Sequence, residues 1–169
     1  MDGLFLVKNF TKQMSTLQLE TQNVAQRVVD LAIDLDSARL AVVLSHCVEL
    51  WDFEKGVCEG FYNIKHQCSS AAWIQNGSVL VVATSGGNHY IRREEDYWFR
   101  ASLKCDVPFR HVRQTNRGLI LLSTDAVHVV RAPCLTKRKL EGDFTRLPLP
   151  CPSPVSSAYC DDHVFVSDG

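Results

Sequence analysis

The sequence lacks most of the patterns on which membrane insertion and catalysis are built. No apolar run approaches the roughly 18 residues of a membrane-spanning helix, so no helical span is expected. The start, MDGLFLVKNFTKQ, has no basic region ahead of an apolar stretch and no small-residue cleavage site, so it does not read as a signal peptide. No G-x-S-x-G occurs, and no Ser or Cys is flanked like a nucleophile. The six histidines, at 46, 66, 89, 111, 128 and 163, never fall into H-x-x-x-H or H-E-x-x-H spacing. SGGNHY at 85–90 is rich in glycine but has neither G-x-G-x-x-G spacing nor a following helix. It reads as a hairpin turn rather than a phosphate cradle. Cys160-Asp161-Asp162-His163 is the nearest approach to a ligand cluster, but its Asp pair occupies a turn. No metal, cofactor or small-molecule substrate is expected, and the chain is not expected to be an enzyme.

Charge of one sign is missing too. Eighteen Lys and Arg stand against nineteen Asp and Glu, a net charge of -1, which argues against a strongly electrostatic nucleic-acid binder. The seven cysteines, at 47, 58, 68, 105, 134, 151 and 160, form no C-x-x-C. An odd count without a secretory leader fits reduced thiols, hence a cytoplasmic or nuclear protein. At 169 residues, with 46% hydrophobic and 22% charged, the chain has the means to bury a sizeable core.

Helical periodicity is weak. Only Met14 to Arg27 has any claim to it, and its Thr and Asn content is indifferent to helix. What is present is a succession of short strands separated by turn chemistry. VELWDFEKGVCEGF, from Val48 to Phe61, is an alternating strand, a turn over Glu54-Lys55-Gly56, and a second strand. The unit recurs. Leu40, Val79 and Leu119 each open the most apolar strand of a four-strand set, and Val164 opens its counterpart in a set that stops after two strands. The interval is about 40 residues, the period of four-stranded propeller blades. The second strands (AVVL, VLVVAT, LILLS) are apolar on both faces, as strands sandwiched between neighbouring sheets must be. The fourth strands are the most polar, as outer strands of a radial stack would be. The expected fold is all-β, built of propeller blades of four antiparallel strands, about three complete plus partial ones.

These residues resemble a WD-repeat β-propeller over Val28 to Gly169. Trp51-Asp52 matches the Trp-Asp pair that closes the third strand in that family. His66 stands before the next unit, and CSSAAW after it is similar to the family's small-small-Ala-Trp first strand. The resemblance makes Trp51, Asp52 and His66 structural, blade-closing residues. At the places matching Trp51-Asp52 the second unit has Arg92-Arg93 and the third Arg131-Ala132, so the repeats are degenerate. The expected organisation is an N-terminal strand segment at 1–27, read as part of an incomplete blade, then blades at 28–68, 69–107 and 108–150, then the start of a further blade at 151–169. Such a chain is expected to be part of a larger propeller, since an open stack would expose strand edges and an apolar sheet face. A compact four-bladed closure is the alternative. LPLPCPSPV at 147–155, with four prolines, reads as the connector between the third and fourth units.

Two stretches carry surface chemistry. IRREEDYWFR at 91–100 mixes Arg92, Arg93 and Arg100 with Tyr97, Trp98 and Phe99, and LTKRKL at 135–140 puts Lys137, Arg138 and Lys139 in a turn. Arg and aromatic residues dominate interface hot spots, and Arg beside an aromatic can also stack nucleobases. Strand alternation cannot bury all three aromatics on one face. The expected function is a non-enzymatic protein-protein interaction scaffold, a subunit of a larger complex. The alternative is a non-catalytic RNA-linked subunit, because degenerate members of the WD-repeat family include the partner of a tRNA methyltransferase.

Overall fold

The computed structural model describes the backbone of residues 4–10, 13–19, 26–95, 97–105, 109–116, 118–149, 156–160 and 163–167, and side chains within 26–149 of these. Every regular element among them is a strand. β1 (Leu4–Phe10) and β2 (Gln13–Leu19) form one hairpin, so the one stretch with any helical claim begins as a strand. β15 (Ser156–Cys160) and β16 (His163–Ser167) form another. Between them lie three four-stranded antiparallel sheets, each with its strands hydrogen-bonded in chain order. The first holds β3 (Val28–Asp34), β4 (Arg39–Leu44), β5 (Cys47–Asp52) and β6 (Val57–Asn63). The second holds β7 (Cys68–Ile74), β8 (Val79–Thr84), β9 (His89–Glu94) and β10 (Tyr97–Ser102). The third holds β11 (His111–Thr115), β12 (Gly118–Leu122), β13 (Ala126–Thr136) and β14 (Lys139–Pro148). This is the strand order of propeller blades.

The core lies between the sheets. Ala41, Val43, Val48 and Leu50 of the first sheet meet Ala71, Trp73, Leu80 and Ile91 of the second. Val79, Val81 and Tyr90, on the opposite face of the second sheet, meet Val112, Leu119, Leu121 and Val130 of the third. β8 is therefore buried along its whole length, which is why VLVVAT shows no alternation. Polar rivets cross the same seams: Trp73 Nε1 donates to Ala32 O at 3.0 Å and Val112 N donates to Ser70 Oγ at 2.8 Å.

The third sheet departs from the sequence reading. VHVVRAP reads as a strand ending near Pro133, with the basic turn following directly. β13 instead runs on to Thr136 through a bulge, where the register jumps between Arg131 and Cys134. A bulge leaves its extra residues unpaired, so Pro133 needs no ladder donor there. Ala132 takes a φ of 45° to make the bend. Across from it Gly142 sits at φ 151°, and an added Cβ would fall 2.7 Å from the Arg131 carbonyl oxygen. β14 likewise extends into the proline-rich stretch as far as Pro148; residues 150–155 lie outside those described.

Candidate functional site

Trp51 is buried among Leu40, Val42, Leu44, Cys47 and Phe53, on the face of the first sheet turned away from the second. Its Nε1 donates to Glu49 Oε2 at 3.1 Å within the same strand. Asp52 organises the turn that follows: Oδ1 accepts from the amides of Glu54 at 3.1 Å and Lys55 at 2.9 Å, and Oδ2 pairs with Lys55 Nζ at 2.7 Å. The hydrogen bond and charge of Lys55 hold the Asp52 carboxyl below its ordinary range. His66 lies elsewhere, packed so closely over Gly86 that a Cβ there would be 2.2 Å from the ring. The three residues that the resemblance marks thus serve two separate local tasks: a strand-end turn in the first sheet and a loop contact to the second.

Strand alternation divides the aromatics of β10. Trp98 turns toward the first sheet and is 9% exposed. Its ring lies 5.8 Å from that of Trp73, with Arg39 at 5.2 Å and Arg93 at 6.0 Å from its centroid. Its Nε1 donates to Glu59 Oε2 at 3.1 Å, and Tyr62 OH donates to its carbonyl at 3.0 Å. Trp98 is thereby committed to the seam between two sheets. Phe99 points the other way, against Tyr90, and is half-buried. Tyr97 stays 58% exposed, its hydroxyl donating to Glu94 Oε2 at 3.0 Å, while Arg92 pairs with the other oxygen of Glu94. Arg93, Glu95, Tyr97 and Arg100 are the exposed residues among those described in this stretch.

Lys137 and Arg138 form the two-residue turn between β13 and β14, at φ 47° and 71°. The turn leans over the second sheet. Lys104 N donates to the Arg138 carbonyl at 2.7 Å, and Leu135 N donates to Gln75 Oε1 at 3.1 Å. Lys139 bridges Lys104 through the backbone. The turns carrying Tyr97 and Lys137-Arg138 hold the same place in successive sheets, between third and fourth strand.

The residue that sequence reasoning missed is Asp30. Its carboxylate is buried on β3, accepts from Ala71 N of the second sheet at 3.1 Å, and pairs with Arg113 Nη1 of the third at 2.6 and 2.8 Å. One side chain links all three sheets. The sequence pointed the other way: VVDLAIDL alternates Val29, Leu31, Ile33 and Leu35 with Asp30, Ala32 and Asp34, and alternation would bury the apolar set, whereas the structure buries the face of Asp30, Ala32 and Asp34. Among the described residues no three His, Cys, Asp or Glu side chains gather as metal ligands would. His89, His111 and His128 are held below the ordinary imidazole pKa, chiefly by burial. Burial pushes the Cys68 thiol up to about 11, away from nucleophilic use. No helix among the described residues is long and apolar enough to cross a membrane.

No family model matches the sequence, and no curated protein matches it. Solved structures do match in fold. The β-propeller domain of Cps50 (Swd1) from Myceliophteria thermophila superposes with a TM-score of 0.64 at 13% identity, over 86% of this chain and 48% of that one. The computationally designed Ika4 protein gives 0.57 at 10% identity, over 88% of this chain and 89% of that one. Hydrazine synthase of Kuenenia stuttgartiensis gives 0.56 at 12% identity, over 75% of this chain and 37% of that one. The chain thus spans less than half the length of the Cps50 domain and of hydrazine synthase. At such identities the likeness is one of fold.

Proposed function

We propose that this chain is a non-enzymatic scaffold on a WD-repeat-like propeller, a subunit of a larger protein complex in the cytoplasm or nucleus. The observation that carries the reading is the set of three stacked four-stranded sheets, similar in fold to the Cps50 (Swd1) propeller domain. Stacking fixes the turns of successive sheets in relation to one another, so partners meet a rigid surface. Rigid display lowers the ordering cost of association. Tyr97, Arg93 and Arg100 on the β9–β10 hairpin and Lys137, Arg138 and Lys139 at the β13–β14 turn supply the residue types that interfaces favour.

The RNA-linked reading draws on the same cations, and salt separates the two. Tagged chain would be recovered from cells after ultraviolet crosslinking and washed at rising salt. A stoichiometric protein partner retained at about 0.5 M salt, with no crosslinked RNA, is the expected result. Crosslinked RNA that is lost steeply between about 50 and 200 mM salt, without a protein partner, would overturn it.

A further inference from the structure

We propose that the cavity at the end of the stack where β3, β7 and β11 begin binds a phosphomonoester group. This goes beyond the scaffold reading and needs only the three sheets. The cavity encloses about 570 Å³ and reaches from Val29 of β3, past Cys68 and Ser69 of β7, to His111 of β11. β7 packs beside both of the other strands, so one opening spans all three sheets. Its size falls within the range of small-ligand sites and exceeds a bare phosphate, which leaves room for whatever the phosphate is attached to.

The walls are fixed to one another. Ser69 Oγ of the second sheet donates to the Arg110 carbonyl beside the third. Ser85 N donates to Gln67 O at 2.9 Å, and Arg110 N to Leu122 O at 2.7 Å. The Asn88 amide, in the orientation that satisfies both its atoms, brackets Phe109: its Nδ2 donates to Phe109 O at 2.9 Å and its Oδ1 accepts from Phe109 N at 3.2 Å. Gly87, at φ 123°, leaves its wall bare, with nothing within 4 Å of where a Cβ would be. A cavity held in this way is preformed, and filling it carries little cost of ordering.

Its lining is a surplus of donors. The side chains of Gln67, Ser85, Arg110, His111 and Thr124 have no partner among the described residues. Each of them can donate a hydrogen bond, and no carboxylate lines the cavity, in a chain that has nineteen. Arg110 is exposed and supplies the positive charge of the lining. Burial, followed by the charges of Arg113 and Arg110, holds His111 below the ordinary imidazole range, so at pH 7 it is a neutral donor.

The placement of the donors selects the anion. Gln67 and Ser85 belong to the second sheet's wall, and Arg110, His111 and Thr124 to the third's. A carboxylate has two coplanar oxygens, which one guanidinium fork takes up by itself. A phosphomonoester has three acceptor oxygens in tetrahedral directions, enough to serve both walls. Single-stranded nucleic acid, by contrast, needs cations tracking a backbone over many phosphates, and this lining has one guanidinium. A phosphorylated side chain and a free sugar phosphate share the group that the cavity fits.

Isothermal titration calorimetry on the full chain tests the site with two probes, glycerol phosphate and a capped glycyl-phosphoseryl-glycine peptide. At least one should bind, about tenfold or more tighter than glycerol or the glycyl-glutamyl-glycine control. Arg110→Met should weaken that binding about tenfold with Tm unchanged, and Ser85→Ala, on the facing wall, about threefold. Were Arg110→Met to lower Tm, the Ser85→Ala result would decide. A tighter peptide assigns the phosphate to a phosphorylated partner, tighter glycerol phosphate assigns it to a metabolite, and equal affinities mean that the phosphate alone is read. Failure of both probes to bind, equal affinity for the glutamyl peptide, or affinity indifferent to both variants overturns the site. Each of these would leave the scaffold reading standing.

Discussion

Asp30 and Arg113 come from different sheets, and their pairing is asymmetric in exposure. The Asp30 side chain is 7% exposed and that of Arg113 42%. Removing Arg113 leaves a buried carboxylate supported, among the described residues, by the Ala71 amide, and an uncompensated buried charge is among the costlier defects a single change can make. Arg113→Ala is expected to lower unfolding free energy by about 2–3 kcal/mol, somewhat below the fully buried case because the guanidinium is partly solvated. Asp30→Asn, which keeps an acceptor for Ala71 N, should cost less. Urea denaturation of both variants and the double variant measures the coupling. Acid acts on other residues. His89, His111 and His128 bind protons less readily folded than unfolded. Below the unfolded value of about 6.5 the unfolded chain therefore holds more protons, and stability rises with pH. Stability should be flat above about pH 7 and fall steadily from there to pH 5, faster than in the triple His→Gln variant. Calorimetric Tm across that window decides it.

Two turns show how local conformation is bought in different ways. Gly77 sits at φ 71°, with Ser37 Oγ only 2.0 Å and Asp34 Oδ2 2.2 Å from where a Cβ would be. The β7–β8 turn thus packs directly on the β3–β4 turn, and Gly77→Ala should cost about 2 kcal/mol or more through strain and displacement together. The β13–β14 turn has no glycine. Lys137→Asn with Arg138→Gly should stabilise the chain by about 1 kcal/mol, read as a shift in urea midpoint at constant m-value. At this scale the sequence was legible where burial governs composition. β4, β8 and β12 were plain because sheets cover them on both faces and leave only apolar residues. The path of β13 past Pro133 was not, because a bulge depends on two strands meeting out of register and neither strand alone records it. Asp30 was passed over for the related reason that its partners lie 41 and 83 residues away. The division of Tyr97, Trp98 and Phe99 between faces was legible as alternation, but which neighbour each face meets came only with the stacking.

At the scale of the molecule, the outward faces of the end sheets decide association. An open stack of three sheets should leave two apolar faces bare. Leu40, Val42, Leu44 and Cys47, on the side of the first sheet away from the second, are 0–1% exposed. Ile120, Leu122 and Val127, on the corresponding side of the third, are 0–7% exposed. What stays open is a narrower stripe along β3, where Val29, Leu31, Ile33 and Leu35 are 37–69% exposed. The chain is therefore expected to run as a monomer of 19.0 kDa in size-exclusion chromatography with light scattering. A concentration-dependent dimer abolished by Leu31→Asp would show the β3 stripe to be an interface between copies. A dimer indifferent to that change would instead place the interface away from the β3 stripe. Either dimer would overturn the monomer, but only the second would bear on the buried outward faces, because a face already buried at this depth has no apolar area left to gain by pairing.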